Sequence, residues 1–156
     1  MVSPLGTDDY HEGALIRLGD ARRLSDQERW VGAIYLAGRA VECILRSLWW
    51  LKTGQPKIGH DLRDLLRRAR SLGMLGADDA KLHDYINEVA VVWYNNLRFV
   101  GDSRFLRDLK AVGRDKRAGG QKVKGDALKA NARWMVGVCE AIVSRGDLVW
   151  KHCRTE

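Results

Sequence analysis

Proline is nearly missing from this chain of 156 residues, which carries only Pro4 and Pro56. Fixed backbone angles and missing amide hydrogens therefore interrupt almost none of the interior, and long helices are free to form. Alternating runs of valine, isoleucine and threonine are also missing, which excludes an extensive sheet. The longest apolar stretch is broken by Arg39, Glu42 and Arg46. It falls short of the roughly 18–20 apolar residues that a membrane span needs. Three cysteines, in neither metal-binding nor disulfide spacing, read as free thiols of a reducing cytoplasm. Asp8, Asp9 and Glu12 stand where a signal peptide would have a basic start and an apolar run. No glycine-rich phosphate loop, metal-ligand cluster or Ser-His-Asp set can be assembled, so neither a cofactor nor a metal is expected.

What is present suits one globular domain over residues 1–156, since 46% of the residues are hydrophobic and 30% charged. The net charge of +7 is local. Between residues 104 and 133 ten basic side chains face Asp108, Asp115 and Asp126, an excess equal to that of the whole chain. A segment of this kind is either a solvated stretch or the footprint of an anionic partner. Its centre, "GRDKRAGGQKVKG", reads as a flexible basic loop at about 113–125 without an apolar anchor. Arg114, Lys116, Arg117, Lys122 and Lys124 are its candidate nucleic-acid contacts.

Periodicity supplies the helices. A first helix is expected from about Asp9 to Leu24, with Leu15, Ile16 and Leu18 as its apolar contribution. "SDQE", Ser25 to Glu28, has the form of a capping box for the second. Trp30, Ile34, Ala37, Val41, Ile44, Leu48 and Leu51 then recur at steps of three or four, ending at Gly54 and Pro56. A third helix follows "GHD" with Leu62, Leu65, Leu66 and Ala69 inward, closed by Gly73 and Gly76. Asp78 or Asp79 caps a fourth, whose stripe is Leu82, Ile86, Val89 and Trp93 and which is read as continuing to Arg98. A short helix over "SRFLRDLKAVG" precedes the basic loop. The last helix carries Leu128, Ala132, Met135, Val138 or Cys139, and Ile142, and is expected to stop at Gly146. The fold class is all-α, an antiparallel bundle of about five to six helices. Trp49, Trp50 and Trp150 fall off the core stripes and are candidates for an exposed or dimer surface.

Three stretches, "AIYLAGRAVECILRSL", "GHDLRDLLRRA" and "VVWYNNLRF", together resemble the HEPN family (higher eukaryotes and prokaryotes nucleotide-binding domain), over roughly residues 10–145. The resemblance implies a compact helical bundle that dimerises and works beside a nucleotidyltransferase-type partner in toxin–antitoxin or defence pairs. It also implies binding of nucleotide or RNA. Many members are metal-independent ribonucleases with an Arg-x(4–6)-His motif, in which His removes a 2′-hydroxyl proton and Arg stabilises phosphate charge. Arg98 matches the family arginine, but "FVGDSRFLRD" follows it without a histidine. The motif therefore reads as degenerate, and the remaining catalytic candidates are Arg98, His60, Arg145 and His152. Arg145 and His152 have the motif spacing, with Gly146 and Asp147 expected to break the helix between them. His60, beside Asp61 at a helix start, reads as a cap or buried hydrogen-bonding residue rather than a base.

Glu42 poses the sharpest question. On a helix, Arg39 and Arg46 lie three and four residues from it and can pair with it at the surface. The resemblance favours the other reading, in which Glu42 reaches across the bundle to Arg98 and positions it for an anion. The candidate ligand-binding set is Glu42, Arg98, Asn95 and Arg39. Three functions stand open: a phosphate-binding HEPN-like module with a degenerate catalytic motif, a metal-independent endoribonuclease using a non-standard histidine, and a structural dimerisation bundle.

Overall fold

A computed structural model describes residues 2–56, 59–71 and 80–156. Six helices account for most of them: α1 Thr7–Asp26, α2 Trp30–Thr53, α3 Leu62–Ser71, α4 Ala80–Val92, α5 Asp102–Ala111 and α6 Ala127–Thr155. A 3-10 turn, Asn95–Phe99, links α4 to α5. A two-stranded antiparallel hairpin, β1 Arg117–Ala118 and β2 Gln121–Lys122, links α5 to α6. The chain is an all-α bundle, as its periodicity requires.

Helix α2 is the axis, packed against α1, α6 and α3. Ile34, Ala37, Val41, Ile44 and Leu48 of its expected stripe are fully buried. Gly54 ends it in the left-handed conformation, its amide donating to the Trp50 carbonyl. On α1 the buried seam is Ala14, Leu18 and Ala21, while Leu15 and Ile16 face solvent. Small residues let α1 approach α2 closely, so two of the three residues expected inward lie outside.

The "SDQE" box does not cap α2. Helix α1 runs through Ser25, and Glu28 takes a left-handed φ of 60° while the Arg29 amide donates back to the Leu24 carbonyl. The α1 end therefore claims those residues for its own C-terminal turn. The Gly73, Gly76, Asp78 and Asp79 assignments lie outside the described residues.

Two glycines fix how the other helices sit on α2. A Cβ on Gly38 would come within 2.1 Å of Trp93 Cδ1. Trp93 thus lies flat on α2, and its indole Nε1–H donates to the Tyr35 carbonyl at 2.9 Å. A Cβ on Gly146 would come within 2.4 Å of Ile44 Cγ1. Gly146 is therefore a contact point inside α6, which continues unbroken to Thr155. The extra turns carry Asp147, hydrogen-bonded to His11 Nε2 at 2.6 Å, and Trp150, stacked on the His11 ring at 3.8 Å.

Helix α4 stops at Val92 rather than running to Arg98, and Tyr94 is extended. Arg98 therefore does not lie on α4 at all. Tyr94 is braced from α5, its hydroxyl donating to Asp108 at 2.5 Å.

Candidate anion-binding cleft

On the face of α2 beside the core stripe stand Arg39, Glu42, Cys43 and Arg46. Glu42 is 1% exposed, which for an ionised carboxylate demands partners. It has three. Arg39 Nη1 donates to Oε2 at 2.5 Å, and Arg46 donates to Oε1 through Nε at 3.1 Å and Nη2 at 3.0 Å. The third arrives from outside the helix: His60 Nδ1 lies 2.5 Å from Oε1.

His60 reaches this position because of its neighbour. Asp61 accepts from the backbone amides of Arg63 and Asp64 at 2.9 and 3.4 Å, capping α3 and fixing the backbone one residue after the imidazole. Nδ1 also lies 3.0 Å from Arg39 Nη1 and 3.5 Å from Arg46 Nη2, so it faces donors as well as the carboxylate; in the tautomer that donates to Glu42, Nε2 is the nitrogen left to accept a proton. The ring is 43% exposed and divides two hollows. One, about 350 Å³, has Arg39, Arg46, Tyr10 and Cys43 in its wall. The other, about 280 Å³, is lined by Arg63, Tyr94 and Asn95 among others. Asn95 Oδ1 accepts from Arg39 Nη1 at 3.5 Å, tying the 3-10 turn to the cluster.

Two guanidiniums and an imidazole thus gather around one carboxylate in the wall of a cavity. Burial works against the charge on Arg39, but Glu42 and its hydrogen bond outweigh it and hold the guanidinium above its usual range. The Cys43 thiol is pushed up to about 11, first by burial and then by the Glu42 carboxylate. It is a neutral wall of the cleft rather than a nucleophile.

Glu42 does not meet Arg98. The helix breaks off before that arginine, which sits exposed on the 3-10 turn with its guanidinium 4.7 Å from the Phe99 ring centre. It borders a separate hollow with Leu24, Tyr35 and Leu97, toward the first turns of α2. The same-helix reading of Glu42 is the one the structure adopts, although the pair is buried and not at the surface as that reading supposed. Arg145 and His152 share the unbroken α6, two turns apart and about 10 Å along the axis. His152 is exposed and lies 3.2 Å from Glu156 Oε1. The cluster thus unites Glu42, Arg39, Asn95 and His60 of the candidates, adds Arg46 and Tyr10, and leaves out Arg98, Arg145 and His152. Arg46 was visible in the sequence as the i+4 neighbour. The approach of His60 was not, because it lies beyond the end of α2 at Thr53, where helical spacing no longer says which residues meet.

The basic segment is also more tightly held than its composition suggests. Ala118 is buried, Gly119 packs on Trp134, and Asn131 Nδ2 donates to the Arg114 carbonyl at 2.9 Å. Arg114 forms a two-pronged pair with Glu88, at 3.0 and 2.7 Å. The expectation of a loop without an apolar anchor is corrected at Ala118. Lys116, Arg117, Lys122 and Lys124 remain exposed. Among the described residues no group of three His, Cys, Asp or Glu is arranged to hold a metal, and no helix is long and apolar enough to cross a membrane.

Fold and cleft together define a class: a small helical bundle with an arginine-rich cleft organised by one buried carboxylate. The HEPN domain family matches residues 7–98, a span that contains Arg39, Glu42, Arg46, His60 and Arg98. The chain belongs to that family. No curated protein and no solved structure matches it.

Proposed function

We propose that the cleft binds a phosphate group of a nucleotide or RNA, and that the chain acts as a HEPN module in a toxin–antitoxin or defence pair. The observation that carries this is the buried Glu42, which holds two guanidiniums and an imidazole around one hollow. Such preorganised donors suit an anion because the arginines need not be ordered when it arrives. The exposed basic hairpin supports extended contact with a phosphate backbone. A second copy of the chain and a nucleotidyltransferase-type protein are the proposed partners, in a reducing cytoplasm where Cys43, Cys139 and Cys153 remain thiols. Calorimetry with a mononucleotide and with a short single-stranded RNA tests the reading. Arg39→Ala should weaken binding about tenfold or more, while equal affinity in the variant would remove the cleft from the site.

A second reading is favoured by one geometry, the hydrogen bond from His60 to a buried carboxylate. A histidine donating in this way through Nδ1 can accept a proton at Nε2. With Arg39 to stabilise developing phosphate charge, His60 would take a 2′-hydroxyl proton and the oxygen would attack the adjacent phosphorus without a metal, breaking the P–O5′ bond to give a 2′,3′-cyclic phosphate and a 5′-hydroxyl whose proton comes from water. RNA cleavage by the purified protein in EDTA, lost in His60→Gln, is the expected result on this reading. An intact RNA after prolonged incubation leaves binding as the function.

A further inference from the structure

A further hollow lies on the other face of α4, away from the cleft, and no residue of the cleft lines it. Its volume is about 350 Å³, within the range of small-molecule sites, about 300–1,000 Å³. Tyr85 of α4 and Trp134 of α6 supply aromatic walls, and the Gly119–Gly120 turn of the hairpin closes one side. That turn is built for close approach. A Cβ on Gly119 would lie 1.8 Å from Trp134 Nε1, and φ is +58° there and +82° at Gly120. The Arg117 guanidinium holds the turn by donating to the Gly120 carbonyl at 3.1 Å.

Charge selects the occupant. Asp84 and Glu88 line the hollow together with Arg114 and Arg117, so its own charges cancel. Glu88 and Arg114 do so by direct contact, at 2.7 and 3.0 Å. An uncharged group is therefore favoured inside. The hairpin that closes its rim is different, for its exposed Lys116, Lys122 and Lys124 outnumber Asp115 and leave it positive. A ligand that fits both is flat and neutral at one end and anionic at the other. We infer that this hollow is a nucleobase pocket: the base lies against Tyr85 and Trp134, and its phosphate turns outward to the hairpin lysines. A lysine-rich peptide would suit the aromatic walls but not the rim. The ligand could be a free mononucleotide or an unpaired base within an RNA strand, and both have the same chemistry here.

The six tryptophan indole N–H resonances of the full-length protein report on the site, with Trp134 assigned by Trp134→Phe. Titration with adenosine monophosphate or a single-stranded RNA hexamer should move the Trp134 signal, whereas ribose 5-phosphate and inorganic phosphate should not. Saturation by the mononucleotide identifies the free source, and a shift with the hexamer alone identifies the strand. Tyr85→Ala should weaken the effective ligand about tenfold or more, the usual worth of one base–aromatic contact. The exposed pair Lys116→Glu with Lys122→Glu should weaken it as well, which keeps a test in hand if the aromatic variants fold poorly. Equal shifts with ribose 5-phosphate, no shift with either nucleotide ligand, or unchanged affinity in both variants would overturn the pocket. So would a Trp134 shift produced only by a lysine-rich peptide. Arg39→Ala should leave the Trp134 response intact, so failure at the α2 cleft and failure here are separable.

Discussion

Glu42 carries more of the structure than any other polar residue in the cleft. Removing its charge would take from Arg46, 8% exposed at its side chain, the carboxylate to which its Nε and Nη2 both donate. Glu42→Gln is therefore expected to cost about 3 kcal/mol in urea denaturation, the usual penalty for breaking a buried pair. In double-mutant cycles Glu42 and Arg46 should couple by about 1 kcal/mol or more, while Glu42 and Arg98 should be additive within about 0.5 kcal/mol. Strong coupling to Arg98 would contradict the observed geometry. Cys43 offers a gentler probe of the same charge. Its thiol, pushed up to about 11 by burial and then by Glu42, should react slowly with iodoacetamide at neutral pH and faster in Glu42→Gln. An unchanged alkylation rate would separate the thiol from the carboxylate.

The elements are joined by a few contacts whose loss can be read directly. Gly38 is the socket for Trp93, and Gly38→Ala would drive a methyl into the indole. A cost of about 1–3 kcal/mol is expected, with loss of the near-ultraviolet tryptophan signal. A variant as stable as the parent would mean that Trp93 can rise off α2 freely. The Tyr94–Asp108 bond joins the extended segment after α4 to α5, and it titrates at both ends. The Asp108 carboxyl is held below its usual range by the Tyr94 hydroxyl first and by Arg104. Its contribution is thus present above the ordinary carboxylate range and is lost as pH falls through the lower folded value. The Tyr94 phenol is pushed up to about 12 by burial and then by Asp108. Its contribution is complete below the ordinary tyrosine range, about 10, and is lost as pH rises through about 12. The stability difference between the parent and Tyr94→Phe should therefore be largest near neutrality and shrink at both extremes. A difference independent of pH would show that the bond is not what Tyr94 contributes.

At the scale of the molecule, the three tryptophans expected at a dimer surface all have partners within the chain. Trp49 lies under Arg68, Trp50 beside Tyr10, and Trp150 on His11. The apolar residues left exposed on the long helices are Leu15 and Ile16 of α1 and Leu148 of α6. A dimer formed through them should dissociate on Ile16→Glu with Leu148→Glu, as read by light scattering at micromolar concentration. A parent protein that is already monomeric would remove that proposal. RNA affinity should fall steeply with salt, with log K changing by about −0.7 per phosphate contact on a single strand. A flat response would exclude the hairpin lysines as backbone contacts.

The sequence by itself determined the helical class, the α2 stripe and the inward face of α3, because apolar spacing at 3.6 residues is a local property. It also placed Arg39 and Arg46 within reach of Glu42, since i+3 and i+4 neighbours meet on any helix. Where backbone geometry competes with composition, local rules failed: Gly146 reads as a stop but serves as a contact inside α6. A glycine costs a helix only about 1 kcal/mol, less than the packing that its missing side chain allows against Ile44. Helix α4 likewise ends early, at Val92, where Trp93 packs against Gly38 and Tyr94 turns extended. Only the tertiary structure could bring His60 to Glu42 and Trp134 to the hairpin. Those pairs are 18 residues or fewer apart in the chain, but the two partners of each do not share one helix or strand. Their meeting depends on how α3 and the hairpin pack against the finished bundle, which no periodicity records.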